Sequence, residues 1–195
     1  MYSKRLAKYI ATLISIPIFF ALSNIVFVNR SAGANAEIIL NEYEVKAAYL
    51  YNFTKFVAWP ADTFPTETTP FVIAILGIDP FGAVLDRSLE GKEALGRKLV
   101  LRRINWPADL RDVQILFLSP SESRRSTQIL EQVGHRPILT VTESEDLRKS
   151  GCMINLFMEA QKVRLQIDAN KAEHAKIKIN SKLLSLARVV YKGEQ

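Results

Sequence analysis

The residues able to do chemistry are few. The chain has two histidines and one cysteine. His135 follows Gly134 and precedes Arg136 and Pro137 at a predicted helix end, where a cation complements the helix dipole. His174 stands in a polar stretch among Lys171, Glu173 and Lys176. Both read as surface residues rather than bases or metal ligands. Cys152 lies among apolar neighbours in CMINLFM and, being alone, forms no intramolecular disulfide. A buried, inert thiol is the plain reading; an intermolecular bridge or redox sensor is the sharper one. The chain holds no H-E-x-x-H pair, no paired cysteines and no G-x-S-x-G turn. Gly77, Gly82, Gly91 and Gly96 are spaced too irregularly for a dinucleotide or phosphate loop. No catalytic residue, metal or cofactor is assigned, and an enzyme is the weaker class.

Anion binding is the remaining chemical option. Asp79 before Pro80, Ser119 before Pro120 with Glu122, and Thr142 with Glu145 each read as the N-cap of a helix. Each follows a predicted strand. In a parallel sheet all three caps lie along the carboxyl edge, where open α/β folds take ligands. Free N–H groups and the positive dipole end suit a small anion or carboxylate at Ser119 or Thr142. Capping alone, worth about 1 kcal/mol per helix, is the alternative, and Asp79 itself would repel an anion.

The elements that must position these residues are strand-like. FVIAIL (71–76), LVLRRI (99–104), VQILFL (113–118) and ILTV (138–141) are short apolar runs rich in branched side chains, as buried parallel strands require. CMINLFM (152–158) makes a fifth run. A tight link over 159–161 then leads into KVRLQID (162–168), whose period-two alternation marks a strand with one face in water. The expected fold is an α/β sandwich of Rossmann-like or flavodoxin-like build. Its central sheet is mostly parallel and ends in an antiparallel hairpin, with helices on both faces.

Upstream, EVKAAYLYNFTKFVAWP (44–60) packs Tyr49, Tyr51, Phe53, Phe56 and Trp59 into one predicted helix. Val45, Ala48, Tyr49, Asn52, Phe53, Phe56 and Val57 form a stripe to pack on the sheet, and Leu50, Tyr51 and Ala58 lie off it. A helix apolar over more than one face is either covered or meets a partner. Tyr51, Leu50, Phe56 and Trp59 are accordingly candidate contacts to a partner or a second copy.

Before this helix stands an export-like leader. Lys4, Arg5 and Lys8 precede an uncharged run from Tyr9 to Val28, and Ala34, Asn35 and Ala36 predict cleavage before Glu37. The apolar run is long enough that an uncleaved anchor is the second reading; either way the remainder is exported. The four basic residues of 1–36 account for four of the net +6, leaving +2, so the basic balance is a targeting signal and gives no support to nucleic-acid binding. The 159 residues from Glu37 onward suit a single domain.

EVKAAYLYNFTKFVAWP, FVIAILGIDPFG, LEGKEALGRKLVLRRI, VQILFLSPSE, ILTVTES, GCMINLFMEAQKVRLQID and IKINSKLLSLARVV, in that order, resemble the YfiR family of exported bacterial proteins from about Tyr43 to Val190. The resemblance implies a periplasmic repressor, often dimeric. Such a repressor acts on the periplasmic sensory region of an inner-membrane diguanylate cyclase, holding down cyclic di-GMP and biofilm formation. It also implies sequestration by an outer-membrane lipoprotein, and sensor kinases are the other candidate partners. Family members often carry cysteines where this chain has Ala74 and Gln114, so redox gating is not expected. An apolar C-terminal helix over 182–190, with Leu184, joins the aromatic helix as a contact surface. Arg97, Lys178, Ser181 and Arg188 fall in the matching motifs and are candidate polar contacts, with solvated surface charge as the alternative. A periplasmic small-molecule binding protein, using the capped helix starts, is the second functional reading.

Overall fold

The computed structural model describes residue 39 and residues 41–191, so the leader read above lies outside the described residues. The chain divides into Met1–Asn41 and Glu42–Gln195, and everything that follows belongs to the second unit. Its first element is a helix over residues 42–56 (α1). The rest runs β1 (Val57–Ala58), β2 (Phe71–Leu76), α2 (Ala83–Leu89), β3 (Glu93–Ala94), β4 (Arg97–Ile104), β5 (Ile115–Leu118), α3 (Ser126–Val133), β6 (Leu139–Thr142) and α4 (Glu145–Ser150). It closes with β7 (Ile154–Glu159), β8 (Lys162–Asp168), α5 (Ala169–His174), β9 (Lys178–Ile179), α6 (Ser181–Leu186) and β10 (Val189–Tyr191).

The main sheet has the order β10-β8-β7-β6-β5-β2-β4-β3. From β4 to β7 all neighbours are parallel, with the first strand of the series inside. That is the flavodoxin-type order, reversing between β2 and β5. Both faces of the central strands are buried. Phe71, Ile73, Ile75, Ile115 and Phe117 pack on the side of α1, α2, α5 and α6; Val72, Ala74, Leu76, Leu116 and Leu118 pack on the side of α3 and α4. A strand covered on both sides must be apolar throughout, which is why these runs lack alternation. β7 and β8 form the expected antiparallel hairpin, with Glu159 opposite Lys162 and both turn residues, Ala160 and Gln161, at positive φ.

Several expectations are corrected. The C-terminal helix stops at Leu186: Ala187 is extended, Arg188 N–H donates to the Leu165 carbonyl at 2.7 Å, and Val189–Tyr191 add a parallel strand beyond β8. The β7–β8 hairpin is therefore not the end of the sheet. The buried stripe of α1 is rotated from the expected one. Lys46, Ala47, Leu50, Phe53 and Thr54 are buried, whereas Val45 and Ala48 are exposed. Asp79 caps no helix. Its Oδ1 accepts from Phe81 N–H at 2.8 Å within a turn, its Oδ2 accepts from Arg103 Nε at 2.7 Å, and α2 begins after Gly82. Nor is Thr142 a cap: Ser144 precedes α4 and accepts from Leu147 N–H. Ser119 accepts from Ser121 N–H, but a 3-10 turn over Pro120–Arg125 follows, with α3 only after it. Glu122 does not reach back to the Ser119 N–H, which instead bonds the Leu76 carbonyl at 3.0 Å.

Candidate functional site

The reversal point between β2 and β5 is filled by protein. Gly77 N–H donates to Ile104 O, and Ile78 N–H donates to Ser121 Oγ, both at 3.0 Å. Glu122 is buried there, with Arg125 Nη1 donating to its carboxylate at 3.1 Å. Gly77 has φ +92°, and a Cβ on it would fall 2.4 Å from Ser121 Oγ and 2.8 Å from Glu122. Gly77→Ala is expected to destabilise the domain by about 1 to 3 kcal/mol, through left-handed backbone strain and overlap. Urea denaturation measures it, and a wild-type midpoint would contradict the close packing described.

Neither cap residue at this edge offers a free group. Thr142 is fully buried; its Oγ1 donates to the Leu118 carbonyl and accepts from Ser144 N–H, both at 3.0 Å. Ser119 is buried as well. The other predicted polar residues are scattered. Arg97 Nη1 donates to the carbonyls of Thr66, Glu67 and Thr69 at 2.7 to 2.9 Å, with its guanidinium 4.2 Å above the Phe64 ring, so it clamps the preceding loop. Arg188 pairs with Glu159 at 3.4 Å. Ser181 is exposed at the first turn of α6, and Leu184 packs partly buried against the core. Leu50, expected as a surface contact, has no exposed surface, because the buried stripe of α1 runs through it.

Three of the predicted residues do come together. α1 ends at Phe56, and β1 pairs antiparallel with β9, Val57 opposite Ile179 and Ala58 opposite Lys178. Asn180 N–H donates to the Phe56 carbonyl at 2.9 Å and the Asn180 side chain caps α6. A groove of about 420 Å³ opens beside this two-stranded sheet, lined by Lys55, Phe56, Trp59, Leu95, Lys178 and Ile179 among others. Trp59 stands edge-on to Phe71 with ring centres 5.0 Å apart. Next to it, Tyr51 is half-buried, with the ammonium groups of Lys55 and Lys92 each 4.3 Å from its ring centre. Leu95 and Lys92 escaped the sequence reading. The signal for Leu95 was the short ALGR stretch, whose Leu95 and Gly96 form a two-residue hairpin turn between β3 and β4.

The histidines and the cysteine stand apart from this groove. His135 and His174 are both exposed and share a smaller groove of about 260 Å³ with Lys171, Leu130 and Met153. Among the described residues no three His, Cys, Asp or Glu side chains are placed to hold a metal. Burial pushes the Cys152 thiol up from 9.0 to about 12, with Lys171 acting weakly in the other direction. The folded thiol is expected to resist aromatic disulfide reagents at pH 8 and to react on addition of denaturant. Its raised value also fixes a sign: the unfolded chain releases this proton first, so stability relative to Cys152→Ala falls as pH rises from about 9 towards 12. Rapid labelling of the native protein would contradict the burial.

The domain is thus a flavodoxin-ordered α/β fold with its reversal point filled and an apolar, lysine-edged groove on its surface. The chain belongs to the YfiR/HmsC-like family, whose model matches residues 43–188, as the ordered motifs led one to expect. No curated protein matches the chain. Among the described residues no helix is long and apolar enough to cross a membrane.

Proposed function

We propose that this protein is an exported, periplasmic regulator. It binds the periplasmic sensory region of a membrane-bound diguanylate cyclase, or a similar sensor such as a kinase, and holds it inactive. Cyclic di-GMP and biofilm formation fall in consequence. Family membership over residues 43–188 is the observation that carries this reading. The export-like leader supports the compartment. The groove beside β1 and β9 supports contact with a macromolecule. Repression of this kind needs only a difference in affinity for two states of the partner, and about 1 to 3 kcal/mol of coupling changes output strongly. A homodimer and a sequestering outer-membrane lipoprotein extend the same reading.

Deletion of the gene in the source bacterium is expected to raise cellular cyclic di-GMP, and an exported copy is expected to restore the lower level. No change on deletion, in cells shown to make the protein, would overturn repression. A small-molecule binding role would then be the better account, and a ligand-dependent thermal shift without any partner would be its mark.

A further inference from the structure

The groove beside β1 and β9 carries two features that the fold does not need. The first is Leu95. It is 55% exposed and sits at φ +54° as the first residue of the two-residue turn between β3 and β4, followed by Gly96 at φ +70°. A turn with positive φ at both positions favours Asn-Gly, and a leucine there bears strain with no burial to offset it. Its side chain instead stands at the groove lined by Phe56, Trp59 and Ile179.

The second feature is charge. Lys55 and Lys178 line the groove and no carboxylate does. Lys92 shares the Tyr51 ring with Lys55, so two like charges meet one aromatic side chain. Among the described residues none of these three lysines pairs with an acid, which leaves their charge open to a partner's carboxylates. Trp59, which lines the groove, keeps a buried Nε1 with no acceptor among the described residues.

We propose that this groove is the surface by which the protein grips its partner, and that its occupant is an acidic segment of that protein. An apolar side chain of the segment packs between Leu95 and Trp59, and flanking carboxylates face Lys55, Lys92 and Lys178. Positive edges around an apolar centre give such a contact both its anchor and its electrostatic selectivity. The inference rests on the regulatory reading above and names the surface that carries it out.

Complementation of the deletion strain separates the two. With wild-type protein restoring low cyclic di-GMP, Leu95→Asn is expected to leave roughly the full rise in place although it relieves the strained turn. The purified variant is expected to unfold at the same temperature as wild type or a higher one. Leu95→Met, which keeps an apolar side chain, is expected to restore repression. Lys55→Glu with Lys178→Glu is expected to fail, and Lys55→Arg with Lys178→Arg to succeed, at equal periplasmic levels. Full repression by Leu95→Asn would overturn the proposal while the regulatory reading stands. Full repression by the double glutamate variant would overturn the acidic partner. A wild-type dimer that Leu95→Asn turns into a monomer would assign the groove to a second copy and overturn it as well. No effect of deletion itself would sink the regulatory reading and this surface with it.

Discussion

Lys46→Met is expected to lower the unfolding free energy of the domain by about 3 to 5 kcal/mol, the range for breaking a buried ion pair from one side. Lys46 is only 3% exposed, and its ammonium pairs with both Glu42, one turn earlier in α1, and Glu143, just after β6. Tyr43 OH donates to the other Glu143 oxygen at 3.3 Å, and Lys46 lies 4.9 Å from the Tyr43 ring centre. The Tyr43 hydroxyl is held well above the ordinary phenol range, first by burial and then by the Glu143 charge. The cluster ties the start of α1 to the carboxyl end of the sheet, beside the Tyr43–Phe81 and Phe81–Phe117 edge contacts. Removing the cation leaves Glu143, 10% exposed, without its counter-charge. Removing both charges, in Lys46→Met with Glu143→Leu, is expected to recover a large part of the loss, because desolvating the pair offsets much of its attraction. Urea denaturation of the two single variants and the double variant measures the coupling. Strictly additive losses would show that the pair is not the unit described.

The same lysine explains why the face of α1 was misread. A buried stripe is recognised by apolar letters, yet this one includes Lys46, neutralised by two acids, and Thr54, whose hydroxyl donates to the Tyr51 carbonyl at 2.7 Å. Val45 is apolar and exposed. β2 and β5 were legible because every side chain in them is buried and apolar, whereas LVLRRI, expected to be as buried, falls in β4, none of whose residues is fully buried because only the short β3 lies beyond it at that edge. KVRLQID was legible from its alternation, matching β8 at both ends. The caps at Asp79 and Thr142 were misplaced because a side-chain oxygen near a helix start serves a turn or a neighbouring strand equally well. Asp79 went to Phe81 N–H and Arg103, and Thr142 to the Leu118 carbonyl. The groove was legible only in part. Phe56 and Trp59 lie in the aromatic segment, but β1 and β9 are two residues each and too short for any period to show. Leu95 reaches the groove from another hairpin, which no local pattern announces.

Phe53→Ala is expected to cost about 3 to 5 kcal/mol, the range for deleting a fully buried ring. Phe53 has no exposed surface and stacks on Tyr49 with centres 6.2 Å apart, inside the cluster formed by α1, β2 and β5. A domain of this size has about 5 to 15 kcal/mol in total, so the variant loses a large fraction of its stability and, in the cell, of its abundance. Tyr51→Ala, two residues away, is expected to cost far less. Its ring is only partly buried against the core and meets the ammonium groups of Lys55 and Lys92, a contact worth about 0.5 to 1 kcal/mol at an exposed site. The contrast separates the fully buried face of α1 from its half-buried one. Equal losses at the two positions would make the Tyr51 face part of the core and leave it no surface to present. A loss below about 1 kcal/mol at Phe53 would contradict the packing of the helix on the sheet. The expected inequality also sets how function is to be tested on this helix: a repression defect from Phe53→Ala reports lost protein, and one from Tyr51→Ala, at equal abundance, reports a lost contact.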